Sequence, residues 1–187
     1  PARVRYTVDP VMTVLDPATG LELVHERAYW VSGIAVADRA QPGSVNAHSL
    51  ALTQRELEEV VRRDERYASD AAGRDLCGPN PDIATGDTWR YRATEWRFGD
   101  ELPSRNRLEV TLANLAAATF DLARAGLGDG VAASVQVTTD TLAEIVLTGL
   151  QPGQAVAIAG STVTADAEGA VSVPVQAGTA TIDISAA

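Results

Sequence analysis

Arg3-Val4-Arg5-Tyr6-Thr7-Val8 alternates without a break, and Arg107-Leu108-Glu109-Val110-Thr111-Leu112 does the same. Successive side chains of an extended strand point to opposite faces, so Val4, Tyr6 and Val8 share one side and the arginines and Thr7 the other. Strands with one apolar and one wet face belong to antiparallel sheets that cover a core on one side only. Residues 29–36 (Tyr-Trp-Val-Ser-Gly-Ile-Ala-Val) are apolar in both phases, which predicts a central strand. In 89–98 the apolar phase runs Trp89, Tyr91, Ala93 and then Trp96, Phe98. That slip of one residue predicts a single strand with a β-bulge near Thr94-Glu95.

The period of two continues to the end of the chain. Strands are predicted over residues 131–138, 142–147, 155–159, 171–175 and 180–184. Gln151-Pro152-Gly153-Gln154 is a type II turn pattern, with Pro at the second position and Gly supplying positive φ at the third. Asp166-Ala167-Glu168-Gly169 stands where a hairpin turn is expected, and Pro174, which has no N–H to give, marks 171–175 as an edge strand. Short strands at such spacing predict an all-β, immunoglobulin-like antiparallel β-sandwich.

One stretch breaks the pattern. Thr53-Gln54-Arg55-Glu56 reads as a capping box, followed by Leu57, Val60, Val61 and Ala68 at helical spacing. Glu58 with Arg62, and Glu59 with Arg63, are i,i+4 pairs. A surface helix over 53–68 and a long loop over 69–87 are therefore predicted, a helix-plus-loop insertion at about 53–87. Residues 114–126 read either way, the favoured reading being a strand through Thr119-Phe120-Asp121-Leu122 with a helical turn after it.

Composition bounds the function. The chain has 187 residues, with 15 basic residues against 25 acidic ones, a net charge of −10. At 45% apolar and 21% charged it is a globular composition rather than a disordered one. No apolar run reaches the length of a membrane span. The acidic balance argues against a nucleic-acid binder, which needs cations to displace the counterions of the phosphates. Every aromatic residue lies between Tyr6 and Phe120 and every Arg between Arg3 and Arg124. This shift divides the chain into a sandwich over 1–125 carrying the insertion, and further hairpins over 126–187 that either complete the same sandwich or form a small second β-unit. Pro1-Ala2-Arg3 shows no initiator Met and no signal-peptide regions, so the chain reads as a piece of a longer protein. Cys77 is either a reduced thiol or half of a bridge to sequence outside this chain.

Catalytic chemistry finds little support. There is no Gly-x-Ser-x-Gly elbow, and His25 and His48 have no metal-ligand spacing around them. His25 reads as a turn residue and His48 as a strand residue facing solvent. Cys77 lies in a Pro/Gly loop without a helix N-terminus to activate it. Asp166-Ala167-Glu168-Gly169 supplies too few oxygens for calcium. No catalytic residue, metal or cofactor is expected. The remaining candidate is the 89–98 segment, where Trp89, Tyr91, Arg92 and Trp96 combine rings that can stack on sugars with a guanidinium that can bind hydroxyls or carboxylates. The competing reading makes these rings core and edge cover with Arg stems over them.

Arg3–Val8 followed by Arg27-Ala28-Tyr29-Trp30-Val31-Ser32-Gly33-Ile34 resembles the strands that open the C-terminal β-domain of large secreted bacterial serine hydrolases of the α/β-hydrolase type. Asn106–Leu112 and Ala118–Leu122 resemble later strands of such modules. Val135–Asp140 through Thr148-Gly149-Leu150 is similar to the immunoglobulin-like hairpins that close many actinobacterial secreted enzymes. The insertion departs from that pattern. The resemblance implies a non-catalytic accessory or scaffold module, secreted or at the cell surface, whose partner is the catalytic domain of its parent. An independent carbohydrate- or polymer-binding module and an enzyme of unrecognised type are the alternatives.

Overall fold

The computed structural model describes residues 1–9, 14–15, 22–23, 27–61, 65–67, 89–91, 94–128 and 130–187. Among them the regular structure is entirely strand. In chain order the strands are β1 (Arg3–Val8), β2 (Val14–Leu15), β3 (Glu22–Leu23), β4 (Val31–Val36), β5 (Gly43–Ser49), β6 (Gln54–Val61), β7 (Glu65–Tyr67), β8 (Trp89–Tyr91) and β9 (Thr94–Leu102). They continue with β10 (Arg107–Ala113), β11 (Leu115–Asp121), β12 (Ala133–Thr139), β13 (Ala143–Thr148), β14 (Ala155–Ile158), β15 (Ser161–Thr164), β16 (Val171–Val175) and β17 (Gly178–Ile184). The chain divides into two compact units, residues 1–54 with 103–187, and residues 55–102.

The first unit holds a seven-stranded sheet, β1-β5-β10-β12-β17-β14-β15, and a four-stranded sheet, β16-β13-β11-β4. Val45, Val110, Val137 and Ile182 of the first and Val31, Phe120, Ile145 and Val173 of the second belong to one buried cluster, so the two sheets share a core. The strands between them are arranged as four arches. β4–β5, β10–β11, β12–β13 and β16–β17 each place one strand in each sheet, and the four follow one another in the same order in both. The register brings all four corners to one rim, with Ala113 opposite Ser44, and Thr139 opposite both Leu112 and Gly178.

The middle arches run in the same direction, so β10 pairs parallel with β12 and β11 parallel with β13. The expectation of a purely antiparallel sandwich is thereby corrected. Alternation tells which face a residue takes but not the direction of the neighbouring strand. Residues from β12 onward stand in both sheets beside strands from the first part of the chain.

β4 is an edge strand, not the central strand its doubly apolar pattern predicts. The apolar residues arise from a bulge. Ala35 pairs with Ala117 but Ser32 pairs with Thr119, so β4 carries one residue more than its partner there. Gly33, at φ 57°, takes the left-handed conformation this requires, and Val31 and Ile34 both turn inward. Trp30 precedes β4 and is buried at 3% exposure. Its indole N–H donates to the Pro1 carbonyl at 2.9 Å, and its ring lies 6.5 Å from that of Phe120.

After β11 the chain makes one helical turn. Leu127 N–H donates to Leu122 O at 2.7 Å and Gly126 N–H to Ala123 O at 3.1 Å, with Gly126 at φ 82°. This is a Schellman closure, with glycine at the left-handed position. Gln154 N–H closes on Gln151 O at 3.0 Å with Gly153 at φ 80°, as the turn pattern requires. Pro174 lies on β16, an edge. The turn at 166–169 joins β15 to β16, strands of different sheets, and so is not a hairpin.

In the second unit the predicted helix over 53–68 is absent from the described residues. Residues 54–61 form β6, which pairs with β9, and 65–67 form β7, which pairs with β8. Gln54 is extended and uses its side chain on His48 and the Ser49 carbonyl, while Arg55 reaches Glu101 of β9 at 3.0 Å. Each i,i+4 ion pair would add only ~0.3–0.5 kcal/mol to a helix. The β-branched Val60-Val61 and a ladder to β9 outweigh that. The expected loop over 69–87 lies outside the described residues.

Candidate functional site

The aromatic segment is two strands rather than one bulged strand. Trp89 and Tyr91 lie on β8, Trp96 lies on β9, and the two strands belong to different two-stranded ribbons. Arg92 falls between them and lies outside the described residues, as do His25 and Cys77. The β7–β8 register sets Tyr67 opposite Trp89 and Glu65 opposite Tyr91. Further along β9, Phe98 is 76% exposed.

The second grouping was not singled out from the sequence. On the outward phase of the seven-stranded sheet the register aligns Arg3, His48, Glu109, Gln136 and Thr181 in one row across β1, β5, β10, β12 and β17. The next row reads Arg5, Asn46, Thr111, Thr138 and Thr179. Each residue sits out of phase with the buried Val4, Val45, Ala47, Val110 and Val137. The signal was present in the alternation of each strand, but only the pairing order joins five separate stretches into a surface.

Several of these side chains hold one another. Arg3 Nη2 lies 3.2 Å from His48 Nδ1, and His48 Nε2 lies 2.7 Å from Gln54 Oε1. A guanidinium only donates, so Nδ1 is the acceptor and Nε2–H donates to Gln54 Oε1. Gln54 Nε2 donates to Ser49 O at 3.1 Å. His48 thus stands on a strand in the outward phase, as expected, and is a half-buried link in a chain of side chains. Arg107 Nη2 donates to Gln136 Oε1, and its Nε is 3.3 Å from Glu109 Oε1 at an angle that makes no hydrogen bond. The hydroxyls of Thr138 and Thr179 are 3.0 Å apart.

The acidic turn is closed on itself. Asp166 Oδ1 accepts from Glu168 N–H at 3.0 Å and Ala170 N–H at 2.8 Å, which makes its carboxylate a turn cap. Among the described residues no group of three or more His, Cys, Asp or Glu is placed to hold a metal ion. Among them, too, no helix is long and apolar enough to cross a membrane. Comparison with family models, with curated proteins and with solved structures found no match for this chain.

Proposed function

We propose that this chain is a non-catalytic, immunoglobulin-like accessory module of a larger secreted bacterial hydrolase, and that the two-sheet unit is a scaffold displaying residues 55–102 to the catalytic domain. The observation that carries this reading is where the chain is interrupted. The inserted unit leaves after β5 and returns before β10, two strands that are hydrogen-bonded neighbours within the core sheet. It contains Tyr67, Trp89, Tyr91, Trp96 and Phe98, five of the nine aromatic residues, and eight of the 15 arginines. Aromatic residues and Arg are the types enriched at binding hot spots, and insertions on a rigid sheet commonly carry recognition.

The test is association in trans. The 187-residue chain and the catalytic part of its parent, produced separately, should form a complex in sedimentation velocity. A chain in which 55–102 is replaced by a short turn should not bind. Equal binding by that deletion variant would overturn the reading.

The register opposing Tyr67 and Trp89 supports a second reading, an independent carbohydrate- or polymer-binding module using Trp89, Tyr91, Arg92 and Trp96. Quenching of tryptophan fluorescence by neutral oligosaccharides, abolished by Trp89→Ala, would favour it over docking.

A further inference from the structure

We propose that the outward face of the seven-stranded sheet binds a linear acidic polysaccharide, one whose sugars carry carboxylates. In this site Arg3 and Arg5 meet the carboxylates, and Asn46 and Thr111 meet ring hydroxyls. The residues named belong to the unit of residues 1–54 and 103–187, and the proposal does not rest on the docking role given to 55–102 above.

Charge is the first ground. The chain carries −10 overall, yet Arg3, Arg5 and Arg107 gather on this face, where the acidic residues of the same phase within the strands are Glu109 and Asp183, and Asp9 and Asp140 stand just past the ends of β1 and β12. Glu109 already faces Arg107 at 3.3 Å and Asp9 stands beyond the end of β1, so the Arg3–Arg5 stretch of the face is left cationic. The outward phase of the four-stranded sheet has Asp121 and Glu144 and no Arg. A ligand drawn to this side is anionic, and the outward phase of the four-stranded sheet would repel it.

Shape and chemistry are the second ground. Five strands about 4.8 Å apart make each row about 19 Å long, an open strip that suits an extended polymer better than a compact ligand. No large apolar residue interrupts the two rows. Arg5, Asn46, Thr111, Thr138 and Thr179 are all exposed and offer guanidinium, amide and hydroxyl groups in line. A planar guanidinium matches a carboxylate with two parallel hydrogen bonds. Amides and hydroxyls that both donate and accept match sugar hydroxyls.

Preorganisation is the third. His48 holds Arg3, Gln54 holds His48, and the Ser49 carbonyl holds Gln54. A cation held in place loses less side-chain entropy on binding.

The experiment is isothermal titration of the 187-residue chain with polygalacturonate at low salt. Dextran, polyglutamate and duplex DNA serve as comparison ligands. Polygalacturonate should bind, dextran should not, and polyglutamate and DNA should bind at least tenfold more weakly. Arg5→Ala and Asn46→Ala should each weaken binding by about tenfold. Both residues are exposed, so an unchanged melting temperature will separate lost binding from lost fold. Trp89→Ala should bind as the parent chain does. Absence of polygalacturonate binding would overturn the proposal. So would equal binding of polyglutamate or DNA, or a loss on Trp89→Ala matched by none on Arg5→Ala.

Discussion

Asn114 and Asp38 hold each other from two different corners of the fold. Asn114 Oδ1 accepts from the Asp38 N–H at 2.8 Å, and its Nδ2 donates to the Asp38 carbonyl at 2.9 Å. Asn114 is the only residue between β10 and β11, and at φ 52° it turns the chain from one sheet into the other. Its Nδ2 also reaches Gln41 O at 2.9 Å, and its backbone N–H donates to the Asp140 carboxylate at 2.9 Å. One side chain thus ties the corner of the first arch to that of the second, and its backbone reaches the third.

Asn114→Ala removes these side-chain bonds and puts a Cβ residue of low left-handed tolerance at the corner. The expected cost is about 2–4 kcal/mol. Asn114→Gly keeps the conformation and should cost roughly half as much. Urea unfolding of both variants is the check. A change within the error of the parent for Asn114→Ala would show that the rim does not depend on it.

Trp30 is nearly sealed, packed on Phe120 and bonded to Pro1 O. Trp30→Ala should cost ~3–5 kcal/mol, enough to threaten a domain of ordinary stability. A thermal melt unchanged from the parent would mean the ring is not in the core.

Gly126 closes the turn after β11 at φ 82°, and a Cβ there would meet Leu52 Cδ2 at 2.9 Å. Gly126→Ala combines that close approach with left-handed strain, and about 1–3 kcal/mol should be lost. Chemical denaturation should show a lower midpoint with an unchanged slope. An unmoved midpoint would place the turn in another geometry.

Gln154 is buried at 5% exposure, its side chain donating to Ser185 O at 2.6 Å and accepting from Gln151 N–H at 2.9 Å. Gln154→Met keeps the volume and abandons both partners, so a loss of about 1–3 kcal/mol is expected. A variant as stable as the parent would show that solvent reaches those groups.

β6 and β9 form a two-stranded pairing, whereas β10 and β12 lie inside a seven-stranded sheet. Isolated ribbons are marginal, and backbone amides with few buried neighbours open at lower free energy. Hydrogen exchange should therefore be faster in 94–102 than in 107–113. Equal protection would make the 55–102 unit part of the same cooperative core.

The inward and outward residues of β1, β10, β12, β13, β16 and β17 were legible in the sequence, because a strand of period two can hide only one set of side chains. Pro174 at an edge and the turn at 151–154 were legible for the same kind of local reason, a missing N–H and a glycine with positive φ. Trp89, Tyr91 and Trp96 were visible as residues, yet not their division between β8 and β9. That division depends on which strands they pair with.

What tertiary structure decided were the relations between distant segments. Residues 54–61 satisfy a helical spacing and a strand equally well, and the ladder to β9 selects the strand. Gly33 lets a bulge turn both Val31 and Ile34 inward on an edge, where alternation alone suggested a central strand. The parallel pairs and the rows running from Arg3 to Thr181 and from Arg5 to Thr179 depend on strand order. Local sequence determines a residue's face because the backbone pleat is local. It does not determine a neighbour, because hydrogen-bond partners along a strand are chemically alike and only packing across the whole core separates one order from another.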